Sequence, residues 1–267
     1  MRQLGKKNVI GILIDAVDYE ASVDFILRAA RGRRGAAVSA LAVHGVMTGV
    51  LDSAHKFRLN HFDLLVPDGQ PVRWVLDWMY GTKLEDRVYG PNLTLKVCER
   101  AAIEGLPIYL YGSTTGILAA FENSLHKRFP GIRIAGSEPS KFRRLASAEK
   151  SEIAERIRAS GAAITFVGLG CPRQEAFAYE FRELLSMPIL AVGAAFPFIA
   201  GHVAQAPVWM QDRGLEWLFR LCAEPKRLWR RYLYLNPAYV FLVALQALRL
   251  SRFTTDGQLP IEEVLAG

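Results

Sequence analysis

Seven short apolar runs punctuate the chain, at residues 9–14, 37–43, 63–66, 108–111, 132–135, 164–167 and 189–192. Most lack the polar alternation of a strand with one face in water, and so read as strands of a parallel sheet covered on both sides. Between them the spacing of apolar positions predicts helices over 22–31, 72–79, 93–104, 115–128, 148–159 and 174–185. Ser147-Ala-Glu-Lys150 reads as a helix start. The alternation implies an α/β fold, an open and mostly parallel sheet flanked by helices. Ligands of such sheets bind beyond the C-terminal ends of the strands.

Strand signals stop at Ala206-Pro207, which divides the chain into an α/β core, 1–206, and a basic, aromatic helical appendage and tail, 207–267. Between Arg213 and Arg231 six Arg/Lys face two Glu, interleaved with Trp217, Phe219 and Trp229. Read as one helix, Arg220, Arg227 and Arg231 share a face that Arg230 extends, while Leu221, Leu228 and Trp229 spread toward an apolar one. The apolar run from Ala238 is broken by Gln246 and Arg249 and falls short of the roughly 20 residues of a spanning helix. Three readings fit: docking on an anionic membrane at about 1 kcal/mol per basic side chain, nucleic-acid binding by arginines and aromatics, or a helical hairpin packed on the core or on another subunit. The apolar run has no use in a nucleic-acid groove and favours the membrane.

With 267 residues and 51% hydrophobic content, the chain can bury one substantial core and carry a small appendage. Its formal charge of +7 admits an anionic partner, whether nucleic acid, acidic lipid or a phosphate-bearing substrate. The three cysteines, Cys98, Cys171 and Cys222, are widely spaced and suggest a reducing compartment rather than a disulfide framework. The N-terminal apolar run stops at Asp15, too short for a signal sequence, and reads as a first strand.

Asp68 ends an apolar run and precedes Gly69, which puts a carboxylate in a tight turn at a strand's C-terminal edge. It serves either as a general base for an incoming hydroxyl or only as the acceptor of an Asp-Gly turn. Gly168-x-Gly170, then Pro172, Arg173, Gln174 and Glu175, combine a strand end with a helix start. Free N–H groups and Arg173 there suit a diphosphate, and Gln174 and Glu175 suit sugar hydroxyls. The bland alternative is a βα turn whose Glu175 complements the helix dipole. Gly112 and Ser113 form a second such turn, and residues 193–201 a third. Arg87 suits a phosphate and Asn92 a sugar hydroxyl, or else Asn92 caps a helix. His44 follows a strand, close enough to touch a substrate, or is a satisfied buried histidine. Nothing groups His, Cys and Asp at metal-ligand spacing, so no metal is expected. No Gly-x-Ser-x-Gly elbow marks a hydrolase. No Gly-x-Gly-x-x-Gly follows the first strand, as a dinucleotide-binding oxidoreductase needs.

Several segments in order resemble the WecG/TagA/CpsF family of bacterial glycosyltransferases. They are Asp63-Leu-Leu-Val-Pro-Asp-Gly69, Arg87-Val-Tyr-Gly-Pro-Asn-Leu93, Ile108-Tyr-Leu-Tyr-Gly112, Phe129-Pro-Gly-Ile-Arg-Ile-Ala-Gly136 and Val167-Gly-Leu-Gly-Cys-Pro-Arg-Gln-Glu175. Gly193-Ala-Ala-Phe-Pro-Phe-Ile-Ala-Gly201, Ala206-Pro-Val-Trp-Met-Gln-Asp-Arg-Gly-Leu-Glu-Trp-Leu-Phe-Arg-Leu221 and Glu224-Pro-Lys-Arg-Leu-Trp-Arg-Arg-Tyr232 complete the series.

The resemblance implies a Rossmann-like core with a C-terminal, membrane-binding helical appendage that completes the active site. It implies an inverting hexosyltransferase; without a carboxylate pair for a divalent ion, the enzyme is expected to be metal-independent and to need no cofactor. Such an enzyme moves sugar from a UDP-sugar to a polyprenyl-diphosphate-linked sugar in cell-surface or exopolysaccharide synthesis. Its place is the cytoplasmic face of the plasma membrane, attached peripherally, as a monomer or homo-oligomer and without nucleic acid. The family's base falls on Asp68 and its preceding polar residue on Ser39. Pro172, Gln174 and Glu175 carry the PxQE element. The departing diphosphate would be compensated by Arg87, Arg173, Arg213, Arg220 or Arg227, and Lys226, Arg230 and Arg231 would join the appendage's diphosphate or lipid contacts. Leu41, Asn92 and Gln205 depart from the family pattern and lean toward its exopolysaccharide glucosyltransferase branch. The alternative is a nucleotide- or nucleic-acid-binding protein without transferase activity.

Overall fold

A computed structural model describes residues 2–267, apart from the side chains of Arg227 and Arg231. The first apolar run is a hairpin rather than one strand, β1 (Gln3–Val9) paired antiparallel with β2 (Ile12–Val17). The loop between them is Ile10-Gly11, with φ of 44° and 91°. Two positive φ values suit a two-residue hairpin turn, and the Asn8 side chain accepts from Gly11 N at 2.7 Å. Asp15 lies within β2, where its carboxylate accepts from Leu65 N at 2.8 Å and burial raises its pKa. Its role is to fasten the hairpin to the sheet.

Beyond α1 (Tyr19–Arg31), which Asp18 caps by accepting from Ala21 N at 2.8 Å, the chain enters the sheet at β3 (Ala36–Leu41). Two helices not predicted from the sequence, α2 (Val43–Leu51) and α3 (Ser53–Asn60), lead to β4 (Leu64–Pro67). Then follow α4 (Gln70–Tyr80), α5 (Gly90–Glu104), β5 (Ile108–Gly112), α6 (Thr115–Arg128) and β6 (Ile134–Glu138). The last part of the core is α7 (Ser147–Ala159), β7 (Ile164–Gly168), α8 (Arg173–Phe181), β8 (Pro188–Ala191) and the short α9 (Ala195–Ile199). Ser147 is the first residue of α7 rather than its cap, and Glu149 closes the turn by accepting from Ala146 N at 2.8 Å.

Among the described residues six strands form one parallel sheet in the order β4-β3-β8-β7-β5-β6. Apolar side chains pack on both faces, which is why the strands read as unbroken apolar runs. Tyr111, Phe177 and Phe181 stack in series on one face, with ring centroids 4.7 and 3.8 Å apart. Burying each such ring stabilises the fold by about 1.5–3 kcal/mol.

After Ala206 come α10 (Val208–Asp212), α11 (Glu216–Ala223) and α12 (Pro225–Ala247). The single helix expected through Arg220–Arg231 is broken at Glu224, because Pro225 disfavours helical backbone in the residue before it. Arg220 therefore lies on a different helix from the cations of α12. The apolar run of α12 is two-faced. Tyr239 and Val243 are buried, while Val240 and Phe241 are exposed. Gln246 fixes the helix end to the hairpin, accepting from Ile10 N at 2.7 Å and donating to Asn8 O at 2.9 Å. The tail then runs back over the core. Asn8 and Asn60 donate to Phe253 O and Thr255 O at 2.8 and 2.7 Å, and Glu180 accepts from Val264 N at 2.6 Å. Residues beyond Tyr239 thus share the core's packing although they follow the Ala206–Pro207 boundary. Among the described residues no helix is long and apolar enough to cross a membrane.

Gly112 has φ 105°, and a Cβ there would stand 2.8 Å from the backbone of Gly168 on the neighbouring strand. Gly112→Ala is expected to destabilise the protein by about 2 kcal/mol or more. Urea unfolding measures this; a midpoint equal to the parent's would contradict the close approach.

Candidate active site

The chain turns sharply where β4 ends. Asp68 N donates to Leu41 O at 3.1 Å, and one carboxylate oxygen accepts from Gly90 N, at the start of α5, at 2.6 Å. The acceptor thus ties together two distant segments and does not serve its own Asp-Gly turn. Burial pushes the Asp68 pKa up to about 6, helped by the Glu216 charge and opposed by Arg87, the Gly90 N–H and Arg220. A carboxyl poised there can hold or release a proton near neutral pH.

Arg87 crosses from the core to the appendage. Its Nη2 donates to Glu216 Oε2 at 2.6 Å and to Gln211 Oε1 at 3.1 Å, and the guanidinium lies 4.3 Å from the Tyr89 ring centre. The Tyr89 hydroxyl donates to the other Glu216 oxygen at 3.1 Å, and burial raises its pKa. Arg220, on α11, lies over the Phe198 ring at 5.6 Å. Its buried Nε has no hydrogen-bond partner among the described residues. The result is an alternating cluster of carboxylate, guanidinium, carboxylate and guanidinium.

Two cavities meet at this cluster. One, of about 930 Å³, lies between core and appendage and is walled by Val43, Trp217, Leu221, Trp229, Leu233 and Phe241, with His44 on its rim. The other, of about 60 Å³, opens at the strand ends among Gly90, Gln174, Gly193 and Phe198. Asp68, Glu216 and Arg220 line both. One space is broad and largely apolar; the other is narrow, with backbone groups and charge around it.

The remaining expected residues divide. Gln174 lines the small cleft, where its oxygen accepts from Gly193 N at 2.9 Å and Gly170 N at 3.2 Å while its nitrogen donates to Glu175 and Ala191 O. Ser39 and Glu175 are buried one layer behind, the Ser39 hydroxyl donating to Glu175 at 3.0 Å. They brace Gln174 and line neither cavity. Pro172 and Arg173 are exposed and also outside both cavities. Gly112 and Gly168 face each other across β5 and β7, with the Phe196 ring over Gly168, so they admit close packing. Ser113 N donates to Gly168 O at 2.9 Å in the same contact. Asn92 hydrogen-bonds the Tyr19 hydroxyl rather than entering a cavity. Leu41 and Gln205, with Asn92, also lie off both walls.

Arg213 is exposed beside the Trp209 ring, and Lys226 and Arg230 are exposed on α12. The Arg227 and Arg231 side chains lie outside the described residues.

Sequence reasoning missed Glu216, Tyr89 and Gln211. Glu216 had a signal, being an acidic residue amid a basic stretch. It also missed that His55, Cys171 and Glu175 come together, with ligand atoms all within 4.8 Å of one another. The three are scattered along the chain, and the packing of α3 on α8 unites them.

The Asp68 carboxyl is expected to titrate near pH 6 in carbon-detected NMR of the substrate-free protein. Replacing its negative neighbour, Glu216→Gln, should lower that midpoint. A midpoint near 4, or one that Glu216→Gln leaves in place, would contradict the electrostatic arrangement.

Residues 7–253 match the description "Glycosyl transferase WecG/TagA/CpsF family". The chain is also similar to an N-acetylglucosaminyldiphosphoundecaprenol N-acetyl-beta-D-mannosaminyltransferase of Bacillus spizizenii, 32% identical over 186 residues that cover 69% of each protein. The match runs from the first hairpin through the appendage to the start of the tail, so it takes in both cavities and the charge cluster between them. The chain belongs to the WecG/TagA/CpsF family of glycosyltransferases.

Proposed function

We propose that the protein is an inverting hexosyltransferase that passes sugar from a UDP-sugar to a polyprenyl-diphosphate-linked sugar. The observation that carries the reading is the position of Asp68 at the junction of a narrow polar cleft and a broad apolar cavity. The donor would take the cleft at the strand ends, and the lipid-borne acceptor the apolar cavity. Its hydroxyl would then meet the anomeric carbon beside the carboxylate. Asp68 would take the hydroxyl proton as the oxygen attacks, and the nucleoside diphosphate would leave from the opposite face of the sugar. Arg87 and Arg220 would balance the leaving group's charge.

The cleft of about 60 Å³ is far below the 300–1,000 Å³ of a typical ligand pocket. Donor entry therefore calls for α11 to shift, taking Glu216 and Arg220 with it. A diphosphate beside Arg87 would replace the Glu216 carboxylate, exchanging one anion for another at the same cation. Closure behind the donor would exclude water and so limit hydrolysis.

The exposed Trp217, Trp229, Leu233, Tyr234, Val240 and Phe241 rim or flank the apolar cavity, with Lys226 and Arg230 nearby in sequence. This supports peripheral attachment to an anionic bilayer at the cytoplasmic face, with α12 lying along the surface by one side only. The donor sugar is proposed no further than a hexose. Leu41, Asn92 and Gln205, on which the leaning toward a glucosyltransferase branch rests, line neither cavity.

Asp68→Asn should lower acceptor-dependent UDP release by about 10²–10⁴-fold, assayed with a UDP-sugar panel and polyprenyl-diphosphate-linked acceptors. Donor affinity by calorimetry should stay within a few-fold; near-normal turnover would sink the base assignment. Lys226→Glu with Arg230→Glu should weaken association with anionic vesicles by about 1 kcal/mol or more per site. Undiminished vesicle sedimentation would remove these cations from the docking surface.

A further inference from the structure

Behind the small cleft, and apart from the charge cluster, three side chains of metal-binding type converge. His55 comes from α3, Cys171 from the loop after β7, and Glu175 from the first turn of α8. Their nitrogen, sulfur and oxygen atoms all lie within 4.8 Å of one another. His55 and Glu175 are 2% and 1% exposed. The Cys171 thiol hydrogen-bonds the Glu175 carboxylate, and His55 Nε2 is buried without a hydrogen-bond partner among the described residues. Such orphans are rare in protein interiors, because an unsatisfied buried polar atom costs about 1–3 kcal/mol.

The surroundings are arranged as around a ligated carboxylate. Glu175 Oε1 is already held, accepting from Ser39 Oγ at 3.0 Å and Gln174 Nε2 at 2.8 Å. That leaves Oε2 for the Cys171 side, and the outer hydrogen bonds of metal ligands commonly orient them in this way. The Cys171 thiol donates to Thr48 Oγ1 at 3.9 Å, which puts a hydroxyl next to the sulfur. Bond lengths of about 2.0–2.3 Å around a tetrahedral ion put ligand atoms about 3.3–3.6 Å apart. The three atoms need to draw in by only about an ångström to reach that.

We propose that His55, Cys171 and Glu175 bind a zinc ion, with water or the Thr48 hydroxyl completing a tetrahedral site. A mixed imidazole, thiolate and carboxylate set suits zinc and disfavours magnesium or calcium, which take oxygen ligands. Binding releases the thiol proton of Cys171 to solvent, so the ion enters as a dication and the cysteine stays as thiolate. The ion is structural, one layer behind the cleft, and takes no part in sugar transfer. It would clamp α3 to the start of α8, where Gln174 holds Gly170 and Gly193 at the cleft. The inference does not rest on the transferase reading.

The test uses the full chain, with any affinity tag removed and the exposed Cys222 replaced by Ser, titrated with cobalt(II) as the probe. One cobalt per chain is expected, with a thiolate-to-cobalt charge-transfer band that equimolar zinc abolishes and that Cys171→Ser lacks. Zinc should also raise the melting temperature of the Cys222→Ser protein but not that of its His55→Ala derivative. Should either variant fail to fold, the Cys222→Ser protein still decides the matter. Zinc should protect Cys171 from alkylation, read by peptide mass spectrometry. No stoichiometric cobalt, a band that survives Cys171→Ser, or an alkylation rate that zinc leaves unchanged would each overturn the proposal.

Discussion

Arg87 on the core and Glu216 on the appendage meet at 2.6 Å, their side chains only 7% and 13% exposed. Removing one member of a pair so placed leaves the other charge stranded, at about 3–5 kcal/mol. This contact joins the sheet's ligand-binding edge to α11, and it sets the environment of Asp68. Arg87 favours the ionised carboxylate, Glu216 and burial oppose it, and the balance leaves Asp68 with a pKa of about 6. Fastening the appendage and tuning the Asp68 carboxyl are therefore one interaction. A diphosphate that took Arg87 from Glu216 would loosen the helix and alter the Asp68 carboxyl in the same event.

The rest of the architecture serves that junction. The parallel sheet ends its strands in three turns that face one another. Gln174 fastens the turns after β7 and β8 by accepting from Gly170 N and Gly193 N. Asp68 fastens the turn after β4 to the start of α5 through Gly90 N. The appendage is held at its far end as well, by Gln246 on the hairpin and by the tail laid across the core. Between these anchors, α10 and α11 contain no buried residue. α10 and α11 would thus lose little packing if a donor displaced them.

Much of this was legible in the residues. The unbroken apolar runs gave the parallel sheet because strands buried on both faces need no polar side. Asp68, Arg87 and Gln174 stood out as a carboxylate, a guanidinium and an amide near glycines, although an Asp-Gly turn, a solvated Arg and a βα turn would account for the same residues. The hairpin was hidden because Ile10, a β-branched residue, occupies a positive-φ turn position that ordinarily signals itself through Asn or Gly. The helix α2 was hidden by Gly45 and Gly49, which lower helix propensity. Packing explains both: a Cβ at either would come within 2.6–2.7 Å of Leu41 or Leu59. The appendage read as a basic membrane surface. The contact of Glu216 with Arg87 and the return of the tail depend on long-range packing that no local spacing encodes.

The pH dependence of kcat/KM for the donor, which reports the ionising groups of the free enzyme, bears most directly on the central claim. A carboxylate base with its pKa raised to about 6 must lose its proton to act, so the rate should fall tenfold per pH unit below about pH 6 and level off above it. Glu216→Gln should carry that limb to lower pH. A rate flat between about pH 5 and 7.5, or a limb that Asp68→Glu and Glu216→Gln both leave unmoved, would contradict Asp68 as the base.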